Sequence, residues 1–250
     1  MTRVGVDVGG TFTDLVAIER DGTVQVRKVV STPQDPAEAL LRALDQYRDS
    51  SGNGKRETGN VLRTTHDALD VLVHGTTVAT NALLERRGAR VVLVTTAGFE
   101  DLLWLGRQDR AALYDLARDH PLPLVARDDV IGAVERMGPE GVVTPLAGGE
   151  VERIVREVGA RAPQAVAVAC LFAFRHPEHE RALAAALRAA LPGIPVAASH
   201  EGLPVFREYE RTSTTAAEAF LRPGVGAYLE RLAAEASGGR GVGPLRIMSS

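Results

Sequence analysis

The sequence predicts an α/β protein: a mixed sheet with helices against its faces. Three observations carry this. The chain opens with short apolar strands joined by the glycine turns Gly9-Gly10 and Asp21-Gly22, both hairpin signals. Strand–turn–helix units follow, the first around His74-Gly75-Thr76-Thr77. Arg90–Thr95 is an almost continuous apolar run, as expected of a strand covered on both faces.

The elements come in this order. Strands are expected at Arg3–Val8, Leu15–Glu19 and Val24–Val30. A helix follows, with Asp35 as cap, Pro36 at its first position and Glu38 three residues after the cap. Ala37, Leu40, Leu41, Leu44 and Tyr47 share one face of it. Asp49–Asn60 reads as a polar loop. Val71–His74 is a strand leading into a helix from Val78 to Arg87, which Gly88 is expected to stop. Beyond Thr95 the pattern predicts a helix at Phe99–Leu105, a strand at Val130–Met137 and a returning strand at Val142–Thr144. Helices at Gly149–Gly159 and Pro177–Ala190 flank a strand at Ala165–Phe172. A short strand at Pro195–Ser199, a long helix over Thr212–Ala236 and a last strand from Leu245 complete the series. Trp104 and the leucines around it read as core. Strand, hairpin, hairpin, then helix–strand–helix matches the first half of the ribonuclease-H-like, actin-type ATPase fold, followed by an inserted or appended α/β portion.

The chain of 250 residues has 45% hydrophobic and 24% charged residues and a net charge of −3, ordinary values for a globular protein. No basic block or aromatic-basic stripe suggests nucleic acid. One cysteine, Cys170, excludes an internal disulfide, and its apolar strand context reads as a buried structural thiol. No signal-peptide pattern opens the chain and no apolar run approaches the roughly 18–20 residues that span a bilayer, so a cytoplasmic setting is expected. His176 and His179 flank a helix start with no third ligand nearby and are not expected to bind metal.

The chemistry concentrates at the first turn, Asp7-Val8-Gly9-Gly10-Thr11-Phe12-Thr13-Asp14. Gly9 and Gly10 let backbone N–H groups approach an anion, and Thr11 and Thr13 can donate to phosphate oxygens. Asp7 and Asp14 cannot bind phosphate directly, but they can hold a Mg²⁺ that does. The hairpin alone leaves two readings open, a phosphate cradle and a plain glycine turn. Adjacent glycines, no lysine and a following strand exclude the dinucleotide fingerprint and the P-loop. A second cluster, His74, Gly75, Thr76 and Thr77, lies where a strand ends and a helix starts, a place where α/β sheets bind ligands. There too a plain reading stands beside the functional one: a helix cap and a buried histidine. Asn81, one turn further on, is set aside as structural.

These segments resemble the hydantoinase A / 5-oxoprolinase family, in its N-terminal region. The resemblance rests on Asp7–Asp14, on His74-Gly75-Thr76-Thr77-Val78-Ala79-Thr80-Asn81, on Val94-Thr95-Thr96-Ala97-Gly98-Phe99, on Gly106-Arg107-Gln108, and on Glu208-Tyr209-Glu210-Arg211-Thr212-Ser213-Thr214-Thr215. It implies an actin-like ATPase fold and the use of ATP and Mg²⁺ to activate a cyclic amide, such as 5-oxoproline or a hydantoin, by phosphorylating its oxygen before water attacks. It assigns Asp7 and His74 to catalysis, with Asp7 on the metal. Gly9, Gly10, Thr11, Thr13, Asp14, Gly75, Thr76 and Thr77 fall to nucleotide binding. Arg107, Gln108, Tyr209, Glu210, Arg211, Thr212 and Thr214 are weaker candidates for a site or an interface. It further implies an oligomer containing a hydantoinase-B-like partner subunit.

Residues 1–205 are expected to form the family's N-terminal ATPase lobe, and 206–250 a connecting helix and the start of a second lobe. The second Asp-Gly-Gly-Thr loop of the family is not in this sequence, so half an ATP site is expected here, within a longer subunit. Three rival readings stand beside the hydrolase: a subunit of an ATP-dependent, acetone-type ketone carboxylase, a non-catalytic module, and a sugar or acetate kinase of the same superfold.

Overall fold

Val4, Val6 and Val8 are buried while Arg3 and Asp7 are exposed, and this period of two makes Arg3–Val8 the first strand, β1. The computed structural model describes residues 1–32, 35–51, 69–115, 117–237 and 244–248. Strands β2 (Phe12–Ile18) and β3 (Val24–Val30) continue the meander. β2 begins at Phe12, three residues before the expected Leu15, because the Gly9 N–H closes the turn on the Phe12 carbonyl at 3.0 Å and Thr13 already pairs with Val8. Helix α1 (Pro36–Ser51) lays Ala37, Leu40, Ala43, Leu44 and Tyr47 on the sheet. The Asp35 carboxylate expected to cap it is paired with Arg231 at 2.5 Å. The helix runs past the expected start of the polar loop at Asp49, and residues 52–60 of that loop lie outside the described residues.

Strand β4 (Val71–Thr76) leads into α2 (Val78–Leu84). The helix ends three residues before the expected Arg87, since Arg86 takes φ +54°, and so Gly88 is not its stop. Gly88 is required for a different reason: a Cβ there would overlap the Phe220 ring. Strand β5 (Val91–Thr96) is buried at every position, as its apolar run predicts. Only Leu102–Leu105 of the next expected helix is helical, forming α3, and Trp104 is 41% exposed rather than core.

The expected strand Val130–Met137 is two strands, β6 (Val130–Ala133) and β7 (Arg136–Gly138). Between them the Glu135 N–H turns back onto the Ala133 carbonyl and the Glu135 side chain is buried. β7 pairs antiparallel with β8 (Gly141–Thr144). Then come α4 (Gly148–Ala160), β9 (Ala165–Ala169), α5 (Glu178–Ala190), β10 (Val196–Ala198), the short α6 (Ser199–Gly202), α7 (Glu208–Ser237) and β11 (Leu245–Ile247). β9 stops short of Phe172, which has φ +54°, and α7 starts four residues before the expected Thr212.

The chain forms two compact units. The hairpin unit, Met1–Glu85 with Val225–Ser250, holds a five-stranded sheet in the order β11-β4-β1-β2-β3. β1, β4 and β11 are parallel and β2 is antiparallel to β1, the ribonuclease-H-like pattern predicted from element order. Its core packs Val4, Val6, Val8, Leu15 and Leu72 against α1 and against Tyr228 and Leu232 of α7. The insert unit, Arg86–Gly224, holds a four-stranded parallel sheet, β10-β9-β5-β6, with α4 and α5 packed on it.

Candidate functional site

Strand register decides which face each candidate occupies. Asp7 of β1 stands opposite Asp14 of β2 and beside Gly75 of β4. Asp14 in turn faces Lys28 of β3, whose ammonium lies 3.3 Å from the Asp14 carboxylate. Gly75, Asp7, Asp14 and Lys28 therefore form one row across four strands, on the face opposite the buried Val6 and Leu15. Glycine leaves room in that row, since a Cβ at position 75 would sit 3.3 Å from Asp7 Oδ1. Two carboxylates on one exposed face are hard oxygen donors of the kind that hold Mg²⁺.

The turn above the row is bare backbone. A Cβ on Gly9 would crowd the Phe12 carbonyl at 3.0 Å, so space rather than a left-handed φ calls for glycine there. Gly10 and Thr11 are exposed. Thr13, expected to face phosphate, is fully buried instead. The Ser31 hydroxyl donates to the Gly9 carbonyl at 2.7 Å, so in the 3.0 Å bond between Thr13 and Ser31 the donor is Thr13. That relay fixes the turn from behind.

His74 is also on the core side. It is fully buried, with Nδ1 3.3 Å from the Val6 carbonyl and Nε2 2.6 Å from the Tyr228 hydroxyl. Burial pushes its pKa below the usual histidine range, so the ring is neutral. A carbonyl can only accept, which puts the proton on Nδ1 and makes Tyr228 the donor to Nε2. Burial pushes the Tyr228 phenol up to about 12, with the Thr76 hydroxyl donating to it in opposition. Thr76 also accepts the Val78 N–H at 3.1 Å. His74 and Thr76 thus tie β1, β4 and α7 together, away from the exposed row.

Thr77 sits between the two clusters. Its N–H and its hydroxyl both reach the Val8 carbonyl at 3.4 Å, and its oxygen accepts from Asn81 Nδ2 at 3.3 Å. The Asn81 amide lies 3.4 Å from where a Gly10 Cβ would be. Asn81, set aside on sequence, brings its amide from α2 up beside Gly10 of the glycine turn. The only sequence signal for it was its place one helical turn after Thr77.

Residues 3–191 match the family described as the hydantoinase/oxoprolinase N-terminal region. The chain belongs to this family. The hydantoinase/oxoprolinase chain is 37% identical over 235 residues to the caprolactamase subunit alpha of Pseudomonas jessenii, covering 92% of this chain and 32% of that one. It is 34% identical over 236 residues to the acetophenone carboxylase gamma subunit of Aromatoleum aromaticum, covering 89% of this chain and 31% of that one. The crystal structure of the ATP-dependent caprolactamase from Pseudomonas jessenii superposes with a TM-score of 0.83 at 35% identity, over 98% of this chain and 35% of that one. The chain spans about a third of the length of the curated relatives it matches.

The other residues singled out by the hydantoinase/oxoprolinase resemblance lie in the insert unit. Arg107 Nε donates to Glu210 at 2.9 Å, and its guanidinium stands 5.7 Å from the Tyr209 ring centre. Gln108 has φ +59°, and Thr214 is exposed. Arg211 and Thr212 are buried. Arg211 donates to Ser199 Oγ at 3.0 Å and to the Cys170 carbonyl at 2.6 Å. Burial lowers its pKa, opposed chiefly by Glu180.

Glu180 itself carries no sequence signal, yet it is fully buried and accepts from the Cys170 N–H, the Ser199 hydroxyl and the His200 N–H at 2.7–2.8 Å. Burial, reinforced by Glu180 and Glu135, pushes the Cys170 thiol well up, so it is no nucleophile. His179 bonds Glu135 at 2.7 Å while His176 bonds the Pro139 carbonyl at 3.1 Å, so the two histidines do not converge. Among the described residues no group of three or more His, Cys, Asp or Glu is placed to hold a metal, and no helix is long and apolar enough to cross a membrane.

Proposed function

We propose that the chain is the nucleotide-handling N-terminal part of an enzyme that opens a cyclic amide with ATP. The observation that carries the reading is the row of Gly75, Asp7 and Asp14 on adjacent strands, on the open face of the sheet that bears the Gly9-Gly10 turn. The residues present fit the groups the reading needs. The turn is bare backbone whose Gly9 has little room for a side chain, a setting that anions approach. Mg²⁺ commonly takes one or two carboxylates, with water and phosphate oxygens completing its shell, and two carboxylates are what this face offers.

In this reading Asp7 holds Mg²⁺ with Asp14 beside it, and Gly9, Gly10 and Thr11 face the phosphates. Bound Mg²⁺ supplies neutralisation of the charge on a phosphoryl group in transfer. Gly75 keeps the space beside Asp7 open. Thr13, His74 and Thr76 hold the hairpin and β4 in shape. The Thr77 hydroxyl is already engaged by Val8 and Asn81, so Asn81 is the polar side chain that the α2 turn brings to Gly10. The ring amide is activated at its own oxygen by phosphoryl transfer, and water then opens the ring. Hydantoin, 5-oxoproline and caprolactam are the class. A hydantoinase-B-like subunit is the proposed partner, in keeping with relatives that are themselves named as subunits.

The likeness to an acetophenone carboxylase subunit supports a second reading, ketone carboxylation. Phosphate release by the gene product, with and without each substrate, separates the two. Stimulation by a ring amide supports the first reading. Stimulation that needs a ketone and bicarbonate replaces it with the second. No nucleotide binding at all overturns both.

A further inference from the structure

A cavity of about 640 Å³ opens within the insert unit, lined by the segments around α3, by 119–124 and by the start of α7. That is the size of a small-molecule site, for which roughly 300–1,000 Å³ is usual. None of the residues in the phosphate reading lines it. Trp104, Leu105, Leu122 and Leu124 give it an apolar wall, and Tyr209 and Ser213 bring hydroxyls to it. The segment 119–124 is held in place by Arg86, whose guanidinium donates to the Leu122 and Pro123 carbonyls.

Charge decides what such a cavity accepts. Arg107 is the sole Lys or Arg among the described lining residues, and its guanidinium is already bonded to Glu210 at 2.9 Å. His120 Nε2 is taken by the Asp109 carbonyl at 2.9 Å, with the Asp109 carboxylate 3.6 Å away. Asp109 and Asp119 add two carboxylates to the lining. The Arg107 charge is balanced by Glu210, so Asp109 and Asp119 leave the lining net negative, which disfavours an entering anion. A neutral ring amide meets none of that penalty. Its C=O can accept from the Tyr209 and Ser213 hydroxyls, its N–H can donate to a carboxylate, and its ring methylenes suit the apolar wall.

We propose that this cavity binds small uncharged ring amides and rejects those that carry a carboxylate. The inference rests on the ring-amide reading above and adds both a place and a selectivity: ε-caprolactam is bound, 5-oxoproline is not.

Trp104 is the chain's single tryptophan, so its emission reports on this cavity directly. Titration of the chain with ε-caprolactam, without nucleotide, is expected to change that emission saturably, and 5-oxoproline to bind at least about tenfold more weakly. Leu122 is 65% exposed, so Leu122→Lys keeps the fold while adding a cation that no carboxylate of the lining already balances. In that variant 5-oxoproline is expected to gain about tenfold. Equal binding of the two probes by the unaltered chain overturns the proposal. So does an emission that no ring amide moves at millimolar concentration, a Leu122→Lys variant without the gain, or acetophenone binding as well as ε-caprolactam, since a ketone has no N–H. Binding of a fluorescent ATP analogue, followed in parallel, reads the nucleotide proposal separately: its failure beside an intact Trp104 titration sinks that reading and leaves the cavity.

Discussion

Asp7 and His74 lie on neighbouring strands yet on opposite faces of the sheet, because Asp7 is level with Gly75 and His74 is level with Val6. The two residues assigned to catalysis by family resemblance are therefore separable by mutation. Asp7→Ala is expected to abolish Mg²⁺-dependent binding of an ATP analogue. Asp7 is exposed, so the unfolding free energy should stay within about 0.5 kcal/mol of the parent. Titration calorimetry and a denaturant melt check both halves, and undiminished binding would remove Asp7 from the metal site.

Tyr228→Phe has the opposite signature. It leaves His74 Nε2 buried with no donor, which costs about 1–3 kcal/mol. Urea unfolding should report that loss, and the variant should still bind nucleotide wherever enough of it is folded.

The same pair sets a pH window. The folded-state pKa of His74 is depressed, so the unfolded chain binds more protons and stability falls as pH drops below the ordinary histidine value of about 6.5. The Tyr228 phenol is raised to about 12, so stability also falls once pH climbs above the ordinary tyrosine value near 10. Melting temperature against pH should show both flanks, and His74→Gln should flatten the acidic one. An unchanged acidic flank in that variant would assign it to other groups.

Gly88→Ala tests packing in the insert unit. The new methyl overlaps the Phe220 ring, an overpacking cost of about 1–3 kcal/mol. The double variant Gly88→Ala with Phe220→Leu should recover part of it, read by the same urea series.

Arg211→Met removes the partner of a buried carboxylate network. About 1–3 kcal/mol of destabilisation is expected, because the buried Ser199 hydroxyl and Cys170 carbonyl lose the donor that Arg211 supplies. A thermal melt within a degree of the parent would show that the network is closed without Arg211.

Much of the hairpin unit was legible because it is local. Alternation gave β1, the Asp21-Gly22 turn gave β3, and the apolar face of Ala37, Leu40 and Leu44 gave α1. The side taken by His74 was legible too, since Leu72 and His74 share a period of two. It was masked by the polar character of the ring. What could not be read is tertiary. Nothing local says that Val91–Thr96 joins a second sheet while Leu245–Ile247 takes the place beside β4. Asn81 reaches Gly10 across seventy residues of chain. Glu135 and Glu180 look like surface charges until the fold buries them.

The pairing of β11 with β4 has a consequence for synthesis. The hairpin unit draws on both ends of the described chain, whereas the insert unit is one continuous stretch. A ribosome delivers the insert whole before it delivers Tyr228, Leu232 or β11. The insert can thus fold cotranslationally, while the first strands, covered by α1 alone, wait for the rest of their core from residues more than two hundred positions away. Among the described elements, β1–β4 are the ones whose sheet is completed last during synthesis.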